Sequence, residues 1–258
     1  MTKAALLVPD WQLPTGVAAF VSTRSGGCSN GAWESFNLGL HVQDDPVNVQ
    51  KNRALLQQQL LQRTGLSDIS LQWLQQVHSN SVFKLQHASV TTTPPQADAI
   101  YTKQTGVACA VLTADCLPVL FCSDDGAEIA VAHAGWRGLL TGVLENTLAA
   151  FSCRPEQIRV WLGPAIGPCH FEVGAEVKTA FLERAMPEAI QDTAAAFTEG
   201  SVSSKYLADL YELARIRITA AGVVNISGMV NCTVCDTASW YSYRHKAATG
   251  RFATLIVK

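Results

Sequence analysis

Short apolar runs closed by turn signals recur through the middle of the chain. Residues 107–112 (VACAVL), 119–122 (VLFC) and 129–132 (IAVA) are the clearest, and runs of this length and composition read as buried strands. Residues 17–22, 69–77, 97–101, 158–162, 223–227 and 252–257 extend the set. Between them the apolar spacing turns helical. Asp45-Pro46 opens a helix over about 47–63, with Leu55, Leu56 and Leu60 on one face and Gly65 at its end. Leu139, Val143, Leu144 and Leu148 predict a helix over 138–151, and two more are expected at about 173–185 and 204–221. Strands mixed with helices, and hairpin-scale gaps around 112–130, predict an α/β chain with a mixed sheet and helical outer layers. Low-complexity segments, repeats and linkers are not apparent, so residues 1–258 are expected to form a single domain.

Composition narrows the function classes. With 258 residues, 48% of them hydrophobic, the chain can bury a large core. A net charge of -2 and a pI near 6.3 argue against a nucleic-acid or anionic-membrane surface. No apolar run approaches the roughly 18 residues of a membrane span. The opening MTKAALLVPDWQLP has a five-residue apolar stretch before Pro9, too short for a signal-peptide core, so a cytoplasmic protein is expected. Its eight cysteines therefore read as thiols, with Cys109 and Cys122 as buried small hydrophobes. Cys232-Thr-Val-Cys235 has the spacing of half a zinc ribbon or of a redox pair. Without a second CxxC or a thioredoxin-like context, it reads as a loop carrying two reduced thiols.

Chemistry concentrates in three strings: QVHS at 76–79, TADC at 113–116 and HAGWRG at 133–138. They offer His78, Cys116 and His133, each at the end of an expected strand, where rigid elements bring side chains together in a cleft. Two imidazoles and a thiolate make a three-ligand set for a borderline-soft metal, with a fourth position open for water or substrate. Cys116 also reads as a nucleophile activated by His133 or His78. Asp115 is a proton-transfer candidate or a turn-capping residue.

The strings QVHS, TADCLPVLF, AHAGWRG, GPAIGPCHFEVG (163–174) and SYRHKAATGR (242–251), with the opening 21–56, resemble the YfiH/LACC1 family in the same order along nearly the whole chain. Its members have been called laccase-domain proteins, polyphenol oxidases and purine nucleoside phosphorylases. His170 departs from the pattern, standing where many relatives carry a second cysteine, and so does the pair His245-Lys246. The resemblance implies a layered α-β-β-α sandwich with zinc on His78, Cys116 and His133. It also implies phosphorolysis of adenosine, inosine and S-methyl-5'-thioadenosine, with adenosine deamination as a side activity. The partners implied are a small-molecule nucleoside and phosphate, in a monomer or homodimer.

Open-site zinc lowers the pKa of bound water to about 7 and polarises substrate atoms, as nucleobase deamination requires. Phosphorolysis also needs an anion site, for which Arg24, Arg137 and Asn37 are candidates, because arginine's planar fork suits phosphate oxygens. Alternative readings are a hydrolase editing a cell-wall (peptidoglycan) precursor, a weak copper-dependent polyphenol oxidase using Cu2+ in the same site, and a metal-binding scaffold. A multicopper cluster needs about ten imidazoles, given imidazole's place among copper ligands. The six histidines of this chain, His41, His78, His87, His133, His170 and His245, are too few for a true laccase.

Overall fold

The computed structural model describes residues 6–87, 90, 91, 93–228 and 230–258. The first five residues, part of the stretch read for a leader, lie outside the described residues.

Every residue of the strand Val107–Thr113 is buried, so its polarity does not alternate. Its packing does, with the period of two that a strand imposes. Val107, Cys109 and Val111 pack with Ile100, Leu120, Val131 and Trp161. Ala108, Ala110 and Leu112 pack instead with Leu56 and Leu60 of the helix Pro46–Thr64. The strand Leu117–Ser123 divides in the same way. Leu120 and Cys122 face the first of these layers, whereas Leu117, Val119 and Phe121 meet Leu139, Val143 and Leu213 on the far side. Two sheets thus share an apolar layer, and the outer face of one carries the helix Pro46–Thr64 while that of the other carries several helices. This is the layered α-β-β-α sandwich.

One sheet has the order Leu6–Leu7, Ala18–Ser22, Phe252–Val257, Val107–Thr113, Ser70–Gln72. It is antiparallel except where Ser70–Gln72 runs parallel to Val107–Thr113. The other has six strands in the order Asn225–Gly228, Ile158–Leu162, Leu117–Ser123, Ile129–Ala134, Ala99–Thr102, Val82–Leu85. Its centre is antiparallel and both edge pairs are parallel. A small antiparallel sheet of Glu172–Gly174, Lys205–Ala208 and Phe197–Glu199 lies apart from these. Between Val107–Thr113 and Leu117–Ser123 the chain passes from one large sheet to the other through Ala114, Asp115 and Cys116.

Helix Pro46–Thr64 follows its sequence signals: Asp45 accepts from Val47 N–H, Pro46 fills the first turn and Gly65 ends it at φ 71°. Three other expectations need correction. The helix expected over 138–151 is two helices, Trp136–Thr141 and Val143–Leu148, parted by Gly142 in the left-handed region at φ 98°. Residues 204–221 begin as the strand Lys205–Ala208, and the helix Leu210–Ala220 starts only where Asp209 accepts from the Tyr211 and Glu212 N–H groups. The strand expected over 69–77 stops at Gln72. Beyond it the Gln76 side-chain amide takes over the pairing, donating to the Leu112 carbonyl and accepting from the Leu112 N–H, both at 2.8 Å. Among the described residues no helix is long and apolar enough to cross a membrane.

Candidate functional site

The crossover between the sheets is held in a conformation that side chains seldom adopt. Asp115 has φ 95°, a region that is costly for a residue other than glycine unless its surroundings over-determine it. They do. Its carboxylate accepts from the Thr233 hydroxyl and the Arg244 N–H, both at 2.6 Å, and its carbonyl accepts from Ile166 N–H at 2.8 Å. Asp115 thereby ties three chain segments together. Cys116 follows it and shares the parity of Leu120 and Cys122, so its thiol lies at the end of the layer between the sheets. His133 pairs with Pro118 across the sheet and shares the parity of Ile129 and Val131, which brings it to the same place.

His78 comes from a bend, not from a strand end, and sits at φ 59°. Asp98 holds it there. The fully buried Asp98 carboxylate accepts from the His78 and Ser79 N–H groups at 3.0 and 2.6 Å and from the Ser79 hydroxyl at 2.8 Å. It also accepts from His133 Nδ1 at 2.8 Å, which leaves the other ring nitrogen to the Cys116 thiol. The two imidazoles meet edge to face, centroids 4.8 Å apart, and Cys116 Sγ lies 4.0 Å from His78 Nε2. One ligand atom from each of His78, Cys116 and His133 falls within 4.8 Å of the others. Gly135 leaves room for this: a Cβ there would lie 3.0 Å from Cys116 Sγ and 3.1 Å from the His78 ring.

Charge follows the geometry. Burial alone would raise the Cys116 thiol, but the neighbouring His133 and His78 outweigh it and bring it down to about 6. Burial likewise works against a charged His133, yet Cys116 and Asp98 raise it to about 9. For Asp98 the hydrogen bonds from His133 and Ser79 overcome burial and hold the carboxyl below its ordinary range. The Cys116 thiol and the His133 ring thus each favour the charged form of the other.

His78, Cys116 and His133 line a cavity of about 600 Å³ that also takes in His41, Trp136, Phe171 and Tyr243. Arg137, Arg244 and Arg251 are in its wall. Arg137 stacks on Trp136 with its guanidinium carbon 4.4 Å from a ring centroid. Arg244 donates to the His170 and Glu172 carbonyls, and Arg251 to those of Thr249 and Gly250.

The other two anion-site candidates are elsewhere. Arg24 lines a separate, smaller cleft, where it donates to the Glu34 and Thr237 carbonyls and lies over the Tyr241 ring. Asn37 is fully buried, its amide occupied by Gly39, Asp44 and the Arg251 N–H. It reaches the cavity only by holding the Arg251 backbone. The Asp115 carboxylate is similarly occupied, which suits the turn-capping reading.

Residues 18–258 match the family model described as multi-copper polyphenol oxidoreductase laccase. The chain belongs to this laccase-like YfiH family. It is 46% identical to a purine nucleoside phosphorylase of Pseudomonas aeruginosa over 98% of each chain. It is 47% identical to the purine nucleoside phosphorylase YfiH of Escherichia coli K12, over 97% of this chain and 98% of that one. The crystal structure of a Neisseria meningitidis protein of the DUF152 family superposes with a TM-score of 0.89 at 46% identity, covering 98% of this chain and 99% of that one. That of YlmD from Geobacillus stearothermophilus gives 0.87 at 30% identity, covering 100% and 97%.

In this YfiH-family chain, His78, Cys116 and His133 bring two imidazoles and a thiol together at the cavity, a donor group that could hold a metal ion. Sequence reasoning missed Asp98, Arg244 and Arg251. Asp98 had a signal, a lone carboxylate inside the apolar string ADAIY, which a buried strand tolerates only where the charge is paired. Nothing local marks the two arginines.

Proposed function

We propose that this protein is a zinc-dependent purine nucleoside phosphorylase acting on adenosine, inosine and S-methyl-5'-thioadenosine, with adenosine deamination as a side activity. The observation that carries the reading is one cavity joining His78, Cys116 and His133 to Arg137, Arg244 and Arg251. Its volume lies within the range of about 300–1,000 Å³ usual for small-molecule sites. The names of the curated relatives support the same activity.

In this reading the arginines bind and orient phosphate, and its oxygen forms the new bond to the ribose C1' as the bond from C1' to the base nitrogen breaks, the base keeping that electron pair and taking up the proton that the phosphate gives up. Trp136, Phe171 and Tyr243 supply flat apolar surface for the base. Asp98 holds the His133 ring through Nδ1 and His78 through its backbone N–H, so one carboxylate orients both residues. Zinc held by His78, Cys116 and His133 would supply Lewis-acid polarisation of a substrate atom. Metal ligation uses Cys116 and both histidines, whereas a nucleophilic Cys116 needs only one of them.

The description of the family model favours a second reading, copper-dependent phenol oxidation at the same ligands. The donors suit a single copper. Among the described residues, groups of three or more metal donors form in two places only, and neither holds the histidines of a multicopper cluster. The test is to incubate zinc-loaded protein with adenosine and phosphate and to resolve adenine, inosine and hypoxanthine by chromatography. Phosphate-dependent release of adenine is expected. Absence of any product from adenosine, inosine and S-methyl-5'-thioadenosine overturns the reading.

A further inference from the structure

We propose that Cys169, His170, Cys232 and Cys235 form a second metal site, closed by four protein ligands, which takes one zinc ion and pins a wall of the main cavity. The CxxC that reads in sequence as two thiols in a loop meets a second pair of donors in space. One donor atom from each of the four residues lies within 4.8 Å of all the others.

Four of the six donor–donor distances can be set against the edges of a tetrahedral shell. Zinc with sulfur at about 2.3 Å and nitrogen at about 2.0–2.1 Å sets edges of about 3.8 Å between sulfurs and about 3.5 Å between sulfur and nitrogen. Cys169 Sγ and Cys235 Sγ are 3.6 Å apart. His170 Nδ1 lies 3.5 Å from both Cys232 Sγ and Cys235 Sγ and 3.1 Å from Cys169 Sγ. Nδ1 carries one proton or one lone pair, so it makes at most one good hydrogen bond to the three sulfurs around it. A single cation shared by all four accounts for the convergence. Three thiolates and an imidazole are a zinc donor set, and four protein ligands leave no corner for substrate, so this ion's role is structural.

The backbone is shaped for the same contact. A Cβ on Gly167 would lie 3.0 Å from Cys232 Cβ, 3.4 Å from Cys232 Sγ and 3.5 Å from Cys169 Sγ. The two loops are already joined by an isolated bridge between Ala165 and Cys232, where Thr233 N–H donates to Ala165 O at 3.0 Å. From here the links run directly to the cavity. Thr233 Oγ1 and the Arg244 N–H hold the Asp115 carboxylate, Ile166 N–H holds its carbonyl, and the Arg244 guanidinium donates to His170 O. A cation at the four ligands therefore fixes the segments that set the Asp115 turn beside Cys116.

The test counts metal and thiols and makes no use of nucleoside turnover, so it is independent of the proposed reaction. Metal-free, reduced protein is titrated with Co2+ alone. Bound ions are counted by native mass spectrometry, and the thiolate-to-cobalt charge-transfer band is followed. Wild type is expected to take two equivalents. The Cys116→Ala protein should keep one, with the band intensity of three thiolates, and the Cys169→Ala/Cys235→Ala protein one with that of a single thiolate. Alkylation of wild type should map Cys169, Cys232 and Cys235 as protected by cobalt, which decides the matter should either variant fail to fold. No cobalt on Cys116→Ala, or these three thiols equally reactive with and without cobalt, overturns the proposal. So does a disulfide joining Cys169 to Cys235 in the purified protein.

Discussion

His133 is bonded twice to Asp98: its Nδ1 donates to Asp98 Oδ1 at 2.8 Å and its backbone N–H donates to the Asp98 carbonyl at 2.7 Å. The same carboxylate accepts the N–H groups of His78 and Ser79, so one buried acid sets the position of both imidazoles. Asp98→Asn is expected to weaken metal binding at the His78, Cys116 and His133 site about 10–100-fold, the usual cost of losing a residue that orients metal ligands. Chelator competition measures it. Unchanged affinity would leave Asp98 with a role in folding alone.

Cys116→Ala should remove the metal held with His78 and His133 while near-UV circular dichroism stays close to wild type, because the thiol lies at the margin of the apolar layer, not within it. Phosphate-dependent adenine release should be lost with the metal. Retention of both activity and the metal at these ligands would sink the assignment.

Arg137→Ala is expected to raise the phosphate concentration needed for half-maximal adenine release by about 10-fold or more, since a charge-assisted hydrogen bond is worth about 1.5–3 kcal/mol. Deamination, which uses water, should change less. Arg24→Ala should instead lower the melting temperature and leave the phosphate requirement alone, because that guanidinium bonds the Glu34 and Thr237 carbonyls away from the cavity. Equal loss of both reactions in Arg137→Ala would place that residue on the nucleoside.

Gly135→Ala puts a methyl group 3.0 Å from Cys116 Sγ and 3.1 Å from the His78 ring. Ligands must give way, so metal affinity should fall with a smaller effect on the folded state. A variant that binds zinc as tightly as wild type would show that the site yields at little cost.

Zinc-loaded, copper-free protein should cleave adenosine and take up no oxygen with phenols, since zinc has no accessible redox states. Copper-loaded protein is expected to oxidise phenols slowly, in proportion to added copper. Rapid phenol turnover together with zinc-loaded protein inert towards nucleosides would decide for the oxidase.

Local signals in the sequence located the strands 107–113, 117–123 and 129–134 to within about two residues and the capped helix Pro46–Thr64, and singled out His78, Cys116 and His133, whose donor atoms lie within 4.8 Å of one another. Those features are local: apolar runs, an Asp-Pro start, a glycine stop and motifs of a few residues. Tertiary structure decided what depends on chain segments far apart. Cys169-His170 and Cys232-Thr-Val-Cys235 are unremarkable until Ala165 pairs with Cys232. Arg244 and Arg251 enter the cavity through bonds to His170, Glu172 and Asn37, and Arg24 leaves it for Thr237, by contacts that no local pattern encodes. Helix and strand propensity act over a few neighbours, whereas a cavity wall is built from whichever distant segments pack against it.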